Sequence, residues 1–392
     1  MKNGISLRKG SMMAKNLFLY VLLCSMILCS GCALLSPSEG VYLTMDEINL
    51  AQRMNVPFDR MKELKAKRLY EFSPKDLNEY LPLAWELHPD FSDRVAHYAR
   101  KAIGQPYKIY LLGEFPFEIY DSDPLFCLEK SDCMVFTEHI YAMSLSKDWP
   151  QFFSMLQRIR YENGEISTVM RNHTSVPQWV DNNSWLVKDI TEEIAPDLTR
   201  PFNLTLDPNR ALIKDYGLDP GFPKQKIETC YIPLENIPKI ADKLQNGDYV
   251  CVIRGFSEEG LWSGHVGFIT KNEDGAVNFL DSAGAAVREN PLLPAVEKAN
   301  AINQQKKEHN EWVDKVKKDP SLLKPKRKFF IFKGKPEEPR KRWYHYGYKF
   351  YRPSEDPIKS LVKLDGKDAP IVTGPRGLLQ NRKDKPAQKK QP

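Results

Sequence analysis

The chain has 392 residues, 42% of them hydrophobic and 11% aromatic, which is too long for one small domain and sufficient to bury a sizeable core. The formal net charge of +6 is uneven, because residues 301–392 hold 25 Lys and Arg against 11 Asp and Glu. The remainder is net acidic, so the basic excess is excluded as a property of the main body of the protein.

The first predicted element is a targeting segment. Lys2, Arg8, Lys9 and Lys15 precede an apolar run from Leu17 to Leu28, of signal-peptide length and too short for a comfortable membrane span. It ends in Cys29-Ser30-Gly31-Cys32, which resembles a bacterial lipobox with Cys29 where a Leu is usual. Lipidation of Cys32 is the expected outcome, with plain secretion or an uncleaved anchor as alternatives, and Met12 or Met13 is a plausible true start. Signal peptide 1–31 and tether 32–40 are expected to lead into a helical region, 41–89. Ser73-Pro74 reads as a helix cap followed by Pro at the first helical position. Residues 90–104 show periodic Val95, Ala99, Ala102 and Ile103 and stop at Gly104.

Residues 105–130 read as loop, with Pro106, Pro116 and Pro124. Ser131-Asp132-Cys133 then opens a helix whose apolar face is Val135, Phe136, Ile140 and Met143. Residues 155–161 and 166–170 flank an Asn163-Gly164 turn, and 171–192 is loop-rich. Strands are expected over 247–255, 264–270 and 276–280, the last two joined by the hairpin signal Lys271-Asn272-Glu273-Asp274-Gly275. Residues 302–327 are charged, helical or irregular, within a basic insertion at 300–340. Strands follow at 329–333 and 344–351. A basic tail, 356–392, is expected to be disordered beyond about residue 370, and otherwise suits attachment to anionic wall polymer or lipid headgroups.

Seven cysteines are present, and four of them, Cys127, Cys133, Cys230 and Cys251, lie outside the signal. In an exported body they could pair, and a Cys127–Cys133 bridge would silence either thiol. Cys133 at a helix start is placed for a lowered pKa, although a buried structural Cys has the same local sequence. His265 opens a predicted strand between Gly264 and Gly267, glycines that would let a substrate backbone approach. If 265–270 and 276–281 form a hairpin, Asp281 comes beside His265 and can orient its imidazole; its other reading is a turn-initiating residue. A zinc site from Cys133, His265, Asp281 and His173 can be written but lacks motif spacing.

The succession Ile103-Gly104-Gln105-Pro106-Tyr107, Ser131-Asp132-Cys133, Ile159-Arg160-Tyr161-Glu162-Asn163-Gly164, Arg171-Asn172-His173 with Trp179-Val180-Asp181-Asn182, Gly247-Asp248-Tyr249-Val250 and Gly264-His265-Val266-Gly267-Phe268 resembles the NlpC-type papain-like cysteine peptidase superfamily. More narrowly, it resembles the N-acetylmuramoyl-L-alanine amidase-like branch. The resemblance spans 90–355. It implies an α+β, papain-like fold, with the nucleophile on a helix packed on an antiparallel sheet and an N-terminal helical region. It implies Cys133 as nucleophile and His265 as base, with Asp281 at the position of a third polar residue that is often His in relatives. Tyr107 and Asp132 are implied near the oxyanion, and His173, Trp179 and Asn182 on the substrate side.

The expected function is that of a lipid-anchored peptidoglycan hydrolase cutting an amide bond through a thioester, either as amidase or as stem-peptide endopeptidase. It needs no metal or cofactor and acts as a monomer in the cell envelope, with peptidoglycan and membrane lipid as partners; the export signal disfavours nucleic acid. The alternatives are a catalytically silent wall-binding scaffold lipoprotein, motivated by Asp281 and the insertion, and a Cys-His acyltransferase or lipase.

Overall fold

The computed structural model describes residues 40–323 and 339–365. The expected signal segment, Cys32, the strand at 329–333 and the tail beyond 370 lie outside the described residues. The chain divides into two compact units, Met1–Lys67 and Arg68–Pro392.

The first unit contains α1 (Met45–Arg53) and α2 (Phe58–Ala66). Thr44 starts α1 with a reciprocal cap, in which Glu47 N–H donates to Thr44 Oγ1 and Thr44 N–H donates to Glu47 Oε2. Lys65 on α2 returns to Glu47 Oε2 at 2.7 Å and to the Tyr42 carbonyl at 3.0 Å.

In the second unit the helices α3 (Pro74–Leu87), α4 (Phe91–Lys101), α5 (Cys133–Ser144) and α6 (Trp149–Arg160) each begin on an oxygen-bearing cap: Ser73, Asp90, Asp132 and Asp148. The side chains satisfy amides that the first turn leaves without helical partners. Asn163 (φ 54°) and Gly164 (φ 70°) then form the expected turn, and Tyr161 bridges to Arg171 across it.

Among the described residues all strands pair antiparallel. They are β1 (Val187–Asp189), β2 (Arg200–Leu206), β3 (Gln225–Pro233), β4 (Tyr249–Gly255), β5 (Trp262–Lys271), β6 (Val277–Ala283), β7 (Ala286–Pro291) and β8 (Tyr344–Pro353). Their spatial order is β2-β3-β8-β4-β5-β6-β7, with β1 also on β8, so the last strand in sequence is inserted beside β4. Alternation sends Val250 and Val252 of β4, Ile269 of β5, Phe279 of β6 and Phe350 of β8 into one apolar cluster, with Leu292 and Val296 of α7 (Leu292–Lys318). Each such side chain contributes about 1.5–3 kcal/mol on burial. On the opposite face, Phe268 meets Tyr141 of α5 edge-on at 4.9 Å and Phe136 at 5.7 Å. This contact seats the start of α5 against β5.

The insertion is helical over most of its described length. Two asparagines on α7 clasp the extended chain entering β8. Asn303 exchanges two hydrogen bonds with the His345 main chain, and Asn310 exchanges two with that of Arg342. Helix α8 spans Pro357–Asp365. Among the described residues no helix is long and apolar enough to cross a membrane.

Candidate active site

Asp132 rather than Ser131 caps α5, accepting from Val135 N–H at 2.8 Å, and this puts Cys133 at the first helical position. Ser131 has a different task. Its hydroxyl donates to Gln105 Oε1 at 2.7 Å and lies 3.1 Å from the Ser282 hydroxyl, while Ser282 donates to the Ser131 carbonyl. These bonds sew the start of α5 to β6, one residue from Asp281. Tyr107 sits in the same seam, its N–H on the Ala285 carbonyl and its strand-like bridge on Ser131.

The antiparallel pairing of β5 and β6 carries His265 to Asp281, with Nε2 and Oδ2 2.7 Å apart. Asp281 Oδ1 accepts from Arg288 Nε at 3.1 Å, because β7 lies opposite β6 with Arg288 in register with Asp281. Burial disfavours the Asp281 carboxylate, but His265 and Arg288 outweigh it and hold its pKa below the usual value. The His265 ring also meets Phe279 edge-on at 6.2 Å.

The start of α5 reaches β5 at the residue after His265, where the Val266 main-chain N–H faces the Cys133 sulfur. Burial, followed by the adjacent Asp132, pushes the Cys133 thiol up to about 12, against the opposing pull of the Val266 N–H and Arg254. Desolvation of the anion thus opposes the lowering that a helix start would give. All four cysteines of the described residues are free, Cys127 and Cys133 included.

The glycines around His265 also differ from expectation. They clear the protein's own atoms rather than a substrate backbone. A Cβ on Gly264 would meet Arg254 Cδ at 2.5 Å, and one on Gly267 would meet the Leu280 carbonyl oxygen at 2.5 Å. Trp179, expected to face substrate, is instead fully buried, stacked on Tyr249 at 4.8 Å. Asn182 and His173 are occupied within their own loop. Asn182 donates to Asn172 Oδ1 at 2.6 Å, and His173 Nε2 lies 2.8 Å from the Thr168 carbonyl. Burial and then Arg171 push His173 down to about 4. The loop reaches the site through Ser175, whose hydroxyl is 2.6 Å from that of Ser263. Among the described residues no group of three or more His, Cys, Asp or Glu is arranged to hold a metal ion.

Sequence reasoning missed Arg254, Arg288, Gln105 and Ser282. Arg288 becomes visible once β7 is recognised, since a tight turn at Gly284 fixes the pairing. Arg254 has no local signal. It is the single cation of a hydrophobic strand, and it enters the site because β4 pairs with β5.

The sequence model of the N-acetylmuramoyl-L-alanine amidase-like family matches residues 97–302. Among solved structures, a Legionella pneumophila protein of the DUF1460 family is 17% identical, with a TM-score of 0.51, over 71% of this chain and 95% of its own. That similarity is one of fold. An N-acetylmuramoyl-L-alanine amidase from Bacteroides uniformis is 15% identical, with a TM-score of 0.45, over 67% of this chain and 99% of its own. A Bacteroides fragilis chain that carries a provisional xylanase name is 18% identical, with a TM-score of 0.43, over 65% and 98%. No curated protein matches the chain significantly.

Proposed function

The chain belongs to the N-acetylmuramoyl-L-alanine amidase-like family, and on that premise we propose that it hydrolyses an amide bond of peptidoglycan through Cys133 and His265. The observation that carries this reading is the His265–Asp281 pair at 2.7 Å on a strand whose next residue, Val266, faces the Cys133 sulfur. An antiparallel sheet with the cysteine at a helix start also fits the NlpC-type, papain-like arrangement.

In this reading the thiol is protonated at rest, so His265 removes its proton as the sulfur attacks rather than beforehand. Sulfur bonds to the carbonyl carbon, and the oxyanion is met by main-chain N–H groups at the start of α5, with the Tyr107 hydroxyl near them. His265 returns the proton to the leaving nitrogen as the C–N bond breaks, and water then cleaves the thioester. Asp281 fixes the imidazole orientation and offsets its transient positive charge. Acylation of Cys32 would hold the enzyme on a membrane of the cell envelope.

Digestion of purified sacculi, with mass spectrometry of the soluble products, tests the reading and separates amidase from stem-peptide endopeptidase. Wild type should release muropeptides, and Cys133→Ala and His265→Ala should each reduce release at least about a thousandfold with the fold intact. Wild-type protein that solubilises nothing would exclude both activities. A second reading, a silent wall-binding scaffold, is favoured by one observation, the upward displacement of the Cys133 thiol. It predicts binding to sacculi that Cys133→Ala leaves unchanged, with no product at any pH.

A further inference from the structure

Arg254, Trp343 and Lys306 form a layered group beside the candidate nucleophile. The Arg254 guanidinium carbon lies 4.1 Å from the centre of the Trp343 ring, and Lys306 Nζ lies 3.9 Å from it. Arg254 extends over Gly264, where a side chain would collide with it, and donates from Nη1 to the Gly264 carbonyl at 2.7 Å. Its Nε is enclosed and, among the described residues, has no hydrogen-bond partner. Trp343 is held in place by the Asn303 and Asn310 clasps on either side of it, at His345 and Arg342.

The charges in this group do not balance. Arg254 and Arg342 both face Lys306 and, after burial, destabilise its charged form. His345, whose enclosed Nε2 also lacks a partner among the described residues, is held neutral by burial and by Arg254. The carboxylate that Arg254 senses is Asp281, and both Asp281 oxygens are already engaged by His265 and Arg288. Two cations stacked on one ring, with no carboxylate paired to either among the described residues, form a receptor for an anion. The planar fork of Arg suits a carboxylate best.

We propose that the Arg254–Trp343–Lys306 stack is a carboxylate-binding subsite that selects peptides bearing a free carboxyl group near the bond to be cut. The inference rests on the hydrolase reading above for its substrate and on the stack alone for its chemistry. Two synthetic muramoyl tripeptides test it, one with its carboxyl groups free and one with all of them converted to carboxamides. Wild-type kcat/KM should favour the free acid by about tenfold or more. Arg254→Gln should bring the two within about twofold by slowing the acid. Equal turnover of both peptides by wild type overturns the subsite and leaves the hydrolase standing, as does an Arg254→Gln variant that slows both by the same factor. If neither peptide is cut, the hydrolase reading fails, and calorimetric binding of the same two peptides to Cys133→Ala decides the subsite. A preference of tenfold for the acid supports it, and equal or undetectable binding overturns it.

Discussion

Behind Cys133, charge holds the structure together, whereas behind His265 hydrocarbon does. Under α5, Glu138 pairs with Arg160 of α6 at 3.1 Å, and Arg171 pairs with Asp121 at 3.0 Å and Glu114 at 3.4 Å, with both arginines and both glutamates buried. Tyr161 and Thr168 hydroxyls complete the Glu114 carboxylate. Under β5, the supports are Val250, Val252, Ile269 and Phe279 of one apolar cluster. An apolar core loses stability by increments, in proportion to volume removed. A buried ion network fails more abruptly, because each lost partner strands the other in a poor solvent. The two candidate catalytic groups therefore rest on supports of different brittleness.

The sharpest way to break this contrast is Arg160→Ala, which should cost about 3–5 kcal/mol in urea unfolding, against about 1 kcal/mol for Ile269→Val. Equal losses would mean that the network is not brittle. Next in size is Asp281→Asn, which keeps the shape of the site and removes the charge. Turnover on sacculi should fall roughly a hundredfold, mainly in kcat, and a change within a few-fold would remove Asp281 from the orienting role. A third measurement is melting temperature against pH. His139 on the helical side is pushed down to about 4 by burial, as is His173, and His97 to about 3. Unfolding lets each take up a proton near pH 6.5, so their stabilisation is complete above that pH and drains as pH falls towards 4. The loss is at most about 1.4 kcal/mol per pH unit for each. Asp281, with its lowered pKa, contributes stability above the ordinary carboxylate pKa and loses it only as pH falls through its own lower value. A curve that stays flat from pH 7 to 5 would contradict the histidine assignment. The smallest effect expected is on Cys133 alkylation, which should be slow at pH 7 and rise steadily with pH. Asp132→Ser keeps a cap while removing the charge that helps to raise the thiol, and should quicken labelling at pH 8 several-fold. Unchanged labelling would leave burial as the sole cause.

The contrast also explains what the sequence made legible. The cap at Ser73, the helix start at Ser131-Asp132-Cys133 and the strands β4, β5, β6 and β8 are local chemistry, and each was readable. The ribbon β2–β3 was not, although Phe202, Leu204 and Leu206 alternate with Asn203 and Thr205: the alternating run is short, and exposed Arg200 and Pro201 precede it while exposed Gln225 and Lys226 open its partner. Of the site, Cys133, His265 and Asp281 were nameable, because a helix start and a hairpin announce them. Arg254 and Ser282 were not, because their roles come from partners up to 151 residues away. Trp179 misled for the opposite reason: an aromatic residue in a polar loop looks like a binding residue, yet Asn183 folds that loop onto the Ile159 and Trp179 carbonyls and drives the ring inward.

The paired amides of Asn303 and Asn310 grip carbonyls and N–H groups that every residue except proline supplies alike. Such a fastening is blind to the side chains it carries. The stretch from 342 to 345 thus behaves as an exchangeable cassette on a fixed mount, where Trp343 can be replaced and the ligand preference retuned without unlatching the strand that joins β3 to β4.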